Sequence, residues 1–256
     1  KWMTLGLTFL QPKSQETSEP KNYRPITCLP TMYKILTAAI SDRIYMSLQK
    51  NNMLPEEQKG CRRNSRGCKD QLLISKMMIK HARKFKNDLN IALIDYKKAF
   101  DSISHSWLIR VLKIYEVNYV ITNFVEQTML NWKTIMMLIY ENGCVKTEVI
   151  SIKRGIFQGD SLSPLLFCLA VAPLSNLLNN IKMGYKCNDE QISHLLYMDD
   201  LKVFTSNHEH MQQSIHVIET FSDDDNRMEF GIEKYAYIEI KRGKVIQGNN
   251  IVSQME

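Results

Sequence analysis

The hydrophobic positions of this chain recur at helical spacing in several stretches, where apolar side chains fall on one helix face. The predicted helical segments span residues 31–48, 70–86, 106–132, 163–181 and 209–221, of which 106–132 is predicted to be largely helical. Asp70 is expected to cap the second helix, and Ser163 followed by Pro164 is a favourable start for the fourth. Pro173 predicts a kink inside that fourth helix.

Short apolar runs bounded by turn residues predict β-strands between these helices. The run from Asn90 to Asp95 predicts a buried strand that ends in an acid. Two β-prone runs flank Glu141-Asn142-Gly143, which is a hairpin signal, and a second hairpin is predicted around Tyr197–Asp200. Polar, turn-rich residues 11–25 predict a loop, and strand-like sequence resumes at Tyr235. Helices mixed with short antiparallel strands predict an α+β fold.

The charge of the chain suits a polyanionic partner. Its 256 residues carry a net charge of +6, and the pI is near 8.9. Residues 59–69 form a basic loop that is expected to track phosphates. Residues 80–86 are also basic, although a solvated helix face is the simpler explanation for them.

Membrane and disulfide-rich classes are disfavoured. The longest apolar run, Leu165–Leu174, is too short to span a bilayer, and the N-terminus has no signal-peptide pattern. The six cysteines include no Cys-x-x-Cys pair and no Cys/His cluster at zinc spacing. Free thiols in a reducing, intracellular compartment are therefore expected. Because the chain starts at Lys1 rather than at a methionine, we expect it to be a piece of a longer protein.

The candidate metal-binding residues are aspartates. Tyr197-Met198-Asp199-Asp200 places two adjacent carboxylates at the tip of a predicted hairpin. Like charges this close repel, and a chain tolerates them mainly where a cation lies between them. Asp95 ends a predicted strand and could lie beside that turn, whereas a helix cap or a salt bridge is the simpler role for Asp101. Each aspartate alone is typical of a protein surface, but the set predicts a divalent-metal site.

Six motifs follow one another along the chain. They are Asn22–Ile26, Gln58–Arg63, Asp95–Asp101, Gly155–Pro164, Tyr197–Asp200 and Phe230–Lys234. In this order they resemble the reverse transcriptase domain of non-LTR (LINE-type) retrotransposons, especially the site-specific insertion group. The resemblance covers nearly the whole chain, and six ordered motifs are far more specific than any one of them.

The resemblance implies the fingers and palm of a right-hand polymerase, with a ferredoxin-like antiparallel palm sheet backed by helices. It assigns residues 1–90 to the fingers, with 102–150 partly fingers and palm helices, and 91–245 to the palm. Residues 246–256 would begin a downstream region, because the family's thumb and endonuclease regions are missing here. Asp95 should lie on a central strand beside the Asp199–Asp200 hairpin.

The resemblance also implies roles for individual residues. Asp95, Asp199 and Asp200 would be the catalytic acids and the ligands of two Mg²⁺ ions, for which Mn²⁺ could substitute. Phe100 would be a steric gate that excludes the ribose 2′-hydroxyl, or simply a core aromatic beside Ala99.

The remaining roles concern the nucleotide. Gln158 would contact it, Gly159 would let the backbone approach the base pair, and Arg24, less directly Lys13, would grip the triphosphate. Tyr197 and Met198 belong to the same nucleotide-binding set.

Two basic residues keep alternatives open. Arg62, like its neighbour Arg63, would contact either the template or the triphosphate. Lys234 would protonate pyrophosphate, or would be an ordinary surface lysine. His105 and His194 lie near the motifs without metal-ligand spacing, and no role is assigned to them.

The expected partners are an RNA template, a DNA primer or nicked target DNA, and dNTPs, with no membrane. Target-primed synthesis would place the protein in the nucleus. Two other interpretations remain open, namely a truncated or domesticated, catalytically silent nucleic-acid-binding remnant, and a cyclase on the same palm fold. The fingers motifs and the Gly155–Pro164 motif argue against the cyclase, which needs no template grip.

Overall fold

A computed structural model describes residues 2–13, 18–140, 143–223 and 236–246. The chain divides into two compact units whose segments interleave, one of Lys1–Met53 with Phe100–Phe167 and the other of Leu54–Ala99 with Cys168–Glu256. The division into fingers and palm near residue 90 stays a prediction.

The first unit contains a five-stranded sheet. Its strands are β1 (Leu5–Pro12), β2 (Tyr23–Cys28), β4 (Lys133–Tyr140), β5 (Gly143–Lys146) and β6 (Ile150–Ser151). Strand β1 pairs antiparallel with β2 and parallel with β4. The hydroxyl of Thr8 hydrogen bonds to Thr27 at 2.8 Å and to Thr134 at 2.6 Å, so the neighbouring strands β2, β1 and β4 are joined by buried side chains as well as backbone.

The first unit also contains helices. They are α1 (Thr31–Lys50), α4 (His105–Ile114) and α5 (Tyr119–Leu130), while the short α3 (Ala99–Ser102) crosses the unit boundary. The indole Nε1 of buried Trp132 donates to the Tyr33 hydroxyl at 2.9 Å, which satisfies the polar ends of two large core side chains.

The second unit holds a sheet in the order β12-β11-β3-β10-β9. These strands are β3 (Leu89–Ile94), β9 (His194–Tyr197), β10 (Asp200–Thr205), β11 (Ala236–Lys241) and β12 (Lys244–Ile246). The central strand β3 is almost entirely buried, as its unbroken apolar sequence predicts. It pairs antiparallel with both β10 and β11.

Further elements complete this unit: the helices α2 (Cys68–Phe85) and α7 (His208–Phe221), and a hairpin of β7 (Tyr185–Cys187) and β8 (Glu190–Ile192). An apolar cluster ties α2, the sheet and the hairpin together through Met78, Ala82, Leu89, Ile91, Tyr185, Leu195, Phe204 and Ile240. Helix α6 (Ser163–Asn180) begins in the first unit, continues through Pro173 and ends in the second.

The α+β class and most predicted elements are confirmed, with two corrections. The largely helical stretch predicted over 106–132 is formed by α4 and α5, and Asn118 caps α5 by accepting from Val120 N at 2.9 Å. The predicted loop 11–25 is shorter, since strands β1 and β2 occupy both of its ends. Asp70 does not cap α2; Gly67 holds that position, and Asp70 in the first turn accepts from Arg66 N at 3.0 Å.

Candidate active site

Two strand ends in the second unit bring the predicted acids together. Strands β9 and β10 form a hairpin in which Tyr197 pairs with Asp200, so Met198 and Asp199 make a two-residue turn. Strand β10 pairs with β3 through Leu201 and Ile94. Strand β3 ends at Ile94, so Asp95 follows it at the end of the sheet where β10 begins with Asp200. The sequence prediction of a central acid strand beside the hairpin is confirmed.

The backbone of the turn is strained and held from outside. Met198 has a φ of 56°, in the left-handed region that favours glycine. The buried side chain of Gln58 is hydrogen bonded to both polar groups of this residue: its Oε1 accepts from Met198 N at 3.0 Å, and its Nε2 donates to Met198 O at 3.4 Å. The same Oε1 accepts from Gly60 N at 2.9 Å. Gln58 therefore fixes the conformation that presents Asp199.

Strand β9 also forms hydrogen bonds with residues 57–59 and with helix α2. Leu196 N donates to Glu57 O at 3.0 Å, and Leu196 O accepts from Lys59 N at 2.9 Å. The amide of Gln71 donates to that carbonyl as well, at 2.6 Å. Residues 57–59 thus run alongside β9 and tie the base of the acidic turn to the N-terminal end of α2.

A buried histidine lies at the start of β9. Within hydrogen-bonding distance, His194 Nε2 lies 2.7 Å from Ser175 Oγ and Nδ1 lies 2.8 Å from Ser193 Oγ. Ser175 also donates to Glu57 Oε2 at 3.2 Å. Burial lowers the pKa of His194 from 6.5 to about 4, against the attraction of Glu57, so the ring is neutral at pH 7.

The donor chemistry at the strand ends suits a hard divalent cation. In the part of the chain that the structure describes, no group of three or more His, Cys, Asp or Glu side chains could by itself hold a metal ion. Mg²⁺ is commonly bound through one or two carboxylates, with phosphate and water oxygens completing its octahedron. Asp95 and the turn acids fit that requirement, and their role as metal ligands stays a prediction.

The first unit holds Phe100 in a defined position. Its ring stacks on Phe167 with centroids 4.9 Å apart and planes 3° from parallel. The carbonyl of Phe100 accepts from Ile156 N at 2.8 Å. Phe100 is half-buried, so one part of the ring is in the core and the other is accessible.

The loop before α6 has a steric reason for its glycine. Gly159 has a φ of 131°, and a Cβ there would lie 2.3 Å from the carbonyl oxygen of Thr27 on β2. The neighbouring Gln158 O accepts from Thr27 N at 2.8 Å. Close approach is therefore needed against a neighbouring strand of the protein itself. The Gln158 side chain donates to Asp101 Oδ1 at 3.4 Å, a partner that the sequence did not suggest for Asp101.

Asp160 continues this loop as a buried acid. Its Oδ1 accepts from the Thr37 hydroxyl at 2.6 Å. Burial raises its pKa, against hydrogen bonds from Thr37 and from the backbone of Ser161 and Leu162. These bonds hold the entry to α6 on α1.

The predicted cations are placed differently from one another. Arg24 is exposed on β2 opposite Gln11, and Lys13 follows β1 at the same end of the strand pair. Arg62 donates to Pro55 O at 2.9 Å and pairs with Glu56, so its guanidinium already has partners in the second unit. Lys234 lies outside the described residues.

The sequence did not indicate Gln58 and Gln71 as supports of the turn and of strand β9. Gln58 belongs to one of the six motifs, but its bond to Met198 joins residues far apart in sequence. None of the described helices is long and apolar enough to cross a membrane.

Comparison with known proteins places these features in a family. Residues 11–243 match the family model described as reverse transcriptase (RNA-dependent DNA polymerase). The chain is 30% identical over 83% of its length to the Pol polyprotein of the type-1 retrotransposable element R2 of Nasonia vitripennis, covering 20% of that protein. It is 25% identical over 79% of its length to the RNA-directed DNA polymerase from mobile element jockey of Drosophila funebris, covering 21% of it.

Solved structures share the fold. Apo telomerase from Candida tropicalis, truncated from its C-terminal domain, matches with a TM-score of 0.65 at 13% identity, over 96% of this chain and 55% of that one. Telomerase from the same organism in complex with a fragment of telomeric RNA matches with a TM-score of 0.67 at 12% identity, over 93% of this chain and 41% of that one. The chain thus spans about a fifth of the two retrotransposon relatives and about half of these telomerase chains.

Proposed function

Because this chain belongs to the reverse transcriptase (RNA-dependent DNA polymerase) family, we propose that it synthesises DNA on an RNA template as the polymerase domain of a non-LTR retrotransposon protein. The relatives from elements R2 and jockey support this assignment. The main structural support for this proposal is that Asp95 and the Asp199–Asp200 turn lie at the same end of the sheet in the second unit.

The acids have a defined task in this proposal. Reverse transcriptases use divalent metal ions, and we assign two Mg²⁺ ions to this domain, with Mn²⁺ as a substitute. When bound, such ions would supply activation of the primer 3′-oxygen and stabilisation of the leaving pyrophosphate. Asp95 and Asp199 would hold them, and Asp200 would support the second position. The two hydrogen bonds between Gln58 and Met198 would hold the adjacent Asp199 in position.

Other side chains would position the nucleotide. Phe100, braced by Phe167, would lie under the sugar and exclude a 2′-hydroxyl. Gln158 would contact the incoming nucleotide, and Gly159 would hold the loop that carries it.

The remaining assignments concern phosphates and the turn. Arg24, and to a smaller extent Lys13, would grip the triphosphate. Tyr197 and Met198 would border the nucleotide from the turn. Arg62 would reach phosphate on release from Glu56, and Lys234 would protonate pyrophosphate.

The domain would act with an RNA template, a DNA primer or nicked target DNA, and dNTPs. Target-primed synthesis by the longer parent protein would take place in the nucleus. Residues 1–90 would form most of the fingers and 91–245 the palm, with the thumb and endonuclease supplied by other regions of the parent protein.

Primer extension tests the proposal. Wild-type protein is given oligo(dT) on poly(rA), dTTP, and Mg²⁺, Mn²⁺ or neither. Two variants run beside it, Asp95→Asn in the acid set and Asp189→Asn, an exposed acid at the β7–β8 turn in the same unit.

We expect metal-dependent extension by wild type and Asp189→Asn, and none by Asp95→Asn. Bound hybrid without extension by any of the three, also when the downstream region is added back, would instead support a silent nucleic-acid-binding remnant.

A further inference from the structure

Three sulfur atoms meet beside the acidic turn in the second unit. The thioether of Met198 lies 3.5 Å from Cys168 Sγ and 3.9 Å from Cys61 Sγ. Both thiols therefore lie against the same thioether. Cys168 lies on α6, and Cys61 follows the loop that supports β9, so the topology brings together cysteines that are distant in sequence.

The two cysteines differ in access. Cys61 is exposed, whereas Cys168 is only 2% exposed. The carbonyl of Gly60 lies 3.6 Å from Cys168 Sγ, so the buried thiol is closed in by the backbone of the residue that precedes Cys61. A reagent in solution can therefore reach Cys61, whereas burial shields Cys168.

Their electrostatics differ in the same direction. Interaction with the Cys168 thiol lowers the pKa of Cys61, against the effect of its partial burial. The same interaction, together with burial, raises the pKa of Cys168 well above its usual value. A more acidic, exposed thiol beside a less acidic, buried thiol is the arrangement of an attacking and a resolving cysteine.

We propose that Cys61 and Cys168 form a reversible intramolecular disulfide when the domain meets a low-molecular-weight disulfide such as oxidised glutathione. The Cys61 thiolate attacks one sulfur of the glutathione disulfide, which forms a mixed disulfide and releases one glutathione thiolate. Cys168 then loses its proton and attacks the Cys61 sulfur, and the second glutathione thiolate leaves. Two protein thiols are oxidised, one glutathione disulfide is reduced to two thiols, and the protons of the cysteines end on glutathione.

This inference goes beyond the polymerase assignment and does not rest on it. The modified pair lies against Met198, next to Asp199, so oxidation would act at the backbone that Gln58 holds. A bonded pair of sulfurs is about 2.05 Å apart, and closing to that distance requires one or both sulfurs to move relative to the Met198 thioether.

The test follows the covalent state of each cysteine. Wild-type protein is incubated with oxidised glutathione, quenched with acid, alkylated with N-ethylmaleimide, digested and analysed by mass spectrometry. We expect a cross-linked peptide pair containing Cys61 and Cys168, preceded in time by glutathione on Cys61. Reduction with dithiothreitol should return both thiols.

Variants assign the order of attack. Cys168→Ala should accumulate the mixed disulfide on Cys61, and Cys61→Ser should leave Cys168 unmodified. Cys144→Ser, which removes an exposed cysteine of the other unit, should leave the cross-link unchanged. The wild-type time course gives the same order even if a buried substitution impairs folding.

Three results would overturn the proposal. The first is stable glutathione on Cys61 of the wild type without the cross-link. The second is a cross-link from Cys61 to Cys68 instead of Cys168. The third is glutathione on Cys168 in folded Cys61→Ser protein.

Discussion

Gln58 is hydrogen bonded to the N–H and the carbonyl of Met198, at 3.0 Å and 3.4 Å, although the two residues are far apart in sequence. The amide is buried, and the residue it holds has a backbone conformation that a non-glycine side chain seldom adopts. Asp199 is the next residue along the chain. The position of a candidate catalytic acid is thus set by a side chain outside the hairpin.

Replacement of this amide should weaken both folding and activity. Gln58→Met keeps the length of the side chain but leaves the N–H groups of Met198 and Gly60 without their acceptor. We expect a loss of about 1–3 kcal/mol in the free energy of unfolding. Urea denaturation measures this loss, and primer extension should slow as well.

Gln49→Met is the matched control, because that glutamine is exposed on α1. It should unfold at the same urea concentration as wild type. Equal stability of both variants would show that the contacts of Gln58 with the turn contribute nothing.

Substitution of Gly159 should be costly even though it adds a single methyl group. Gly159→Ala places a Cβ 2.3 Å from Thr27 O at a φ of 131°. We expect destabilisation of about 1–3 kcal/mol from the strained backbone, with overpacking of similar size in addition.

Thermal unfolding compares it with Gly143→Ala, whose new methyl group would meet only the ring and hydroxyl of exposed Tyr140. That control should change stability little. A Gly159→Ala variant as stable as this control would contradict the steric account of the loop.

His194 predicts a loss of stability in mild acid. The unfolded chain binds a proton at this residue near pH 6.5, whereas the folded chain binds it only near pH 4. As pH falls from 6.5 towards 4, the unfolded state therefore gains protons that the folded state does not, and stability decreases. At about pH 5 this single group should cost about 2 kcal/mol.

Urea denaturation at about pH 7 and about pH 5 measures this effect. His194→Gln should flatten the dependence, because the neutral amide does not titrate beside Glu57, Ser175 and Ser193. His216→Gln, at an exposed position on α7, should keep the wild-type dependence. The same slope in all three proteins would rule out His194 as its source.

Phe100 should control the choice of sugar. Phe100→Ala removes the ring that stacks on Phe167, and we expect the preference for dTTP over UTP on poly(rA) to fall by about tenfold or more. The ratio of kcat/KM for the two nucleotides is the measurement. Phe85→Ala, at an exposed ring on α2, is the control and should keep the wild-type ratio. Unchanged sugar selection in Phe100→Ala would remove the gate assignment.

The sequence predicted those features whose cause is local. An unbroken apolar run predicted strand β3, and apolar residues on both sides of two adjacent acids predicted the β9–β10 hairpin. Each of these patterns is contained within a short stretch of sequence. The order of the motifs predicted that the strand before Asp95 would lie beside this hairpin, and the pairing of β3 with β10 confirms that prediction.

The features that were missed depend on distant partners. No local pattern indicates that Gln58 would bond to Met198, or that Gly159 would lie against Thr27 O. The division of the helical stretch 106–132 into α4 and α5 has a local cause, because Asn118 caps α5.

The most direct test of the metal-dependent polymerase is Asp199→Asn, which removes a charge at the turn while keeping the size of the side chain. Primer extension on poly(rA)/oligo(dT) with Mg²⁺ and the dissociation constant for the same hybrid are measured for wild type, Asp199→Asn and Asp189→Asn. We expect Asp199→Asn to lose extension by about 100-fold or more and to bind the hybrid nearly as tightly as the other two proteins. Undiminished extension by Asp199→Asn, or an equal loss of extension and binding, would contradict it.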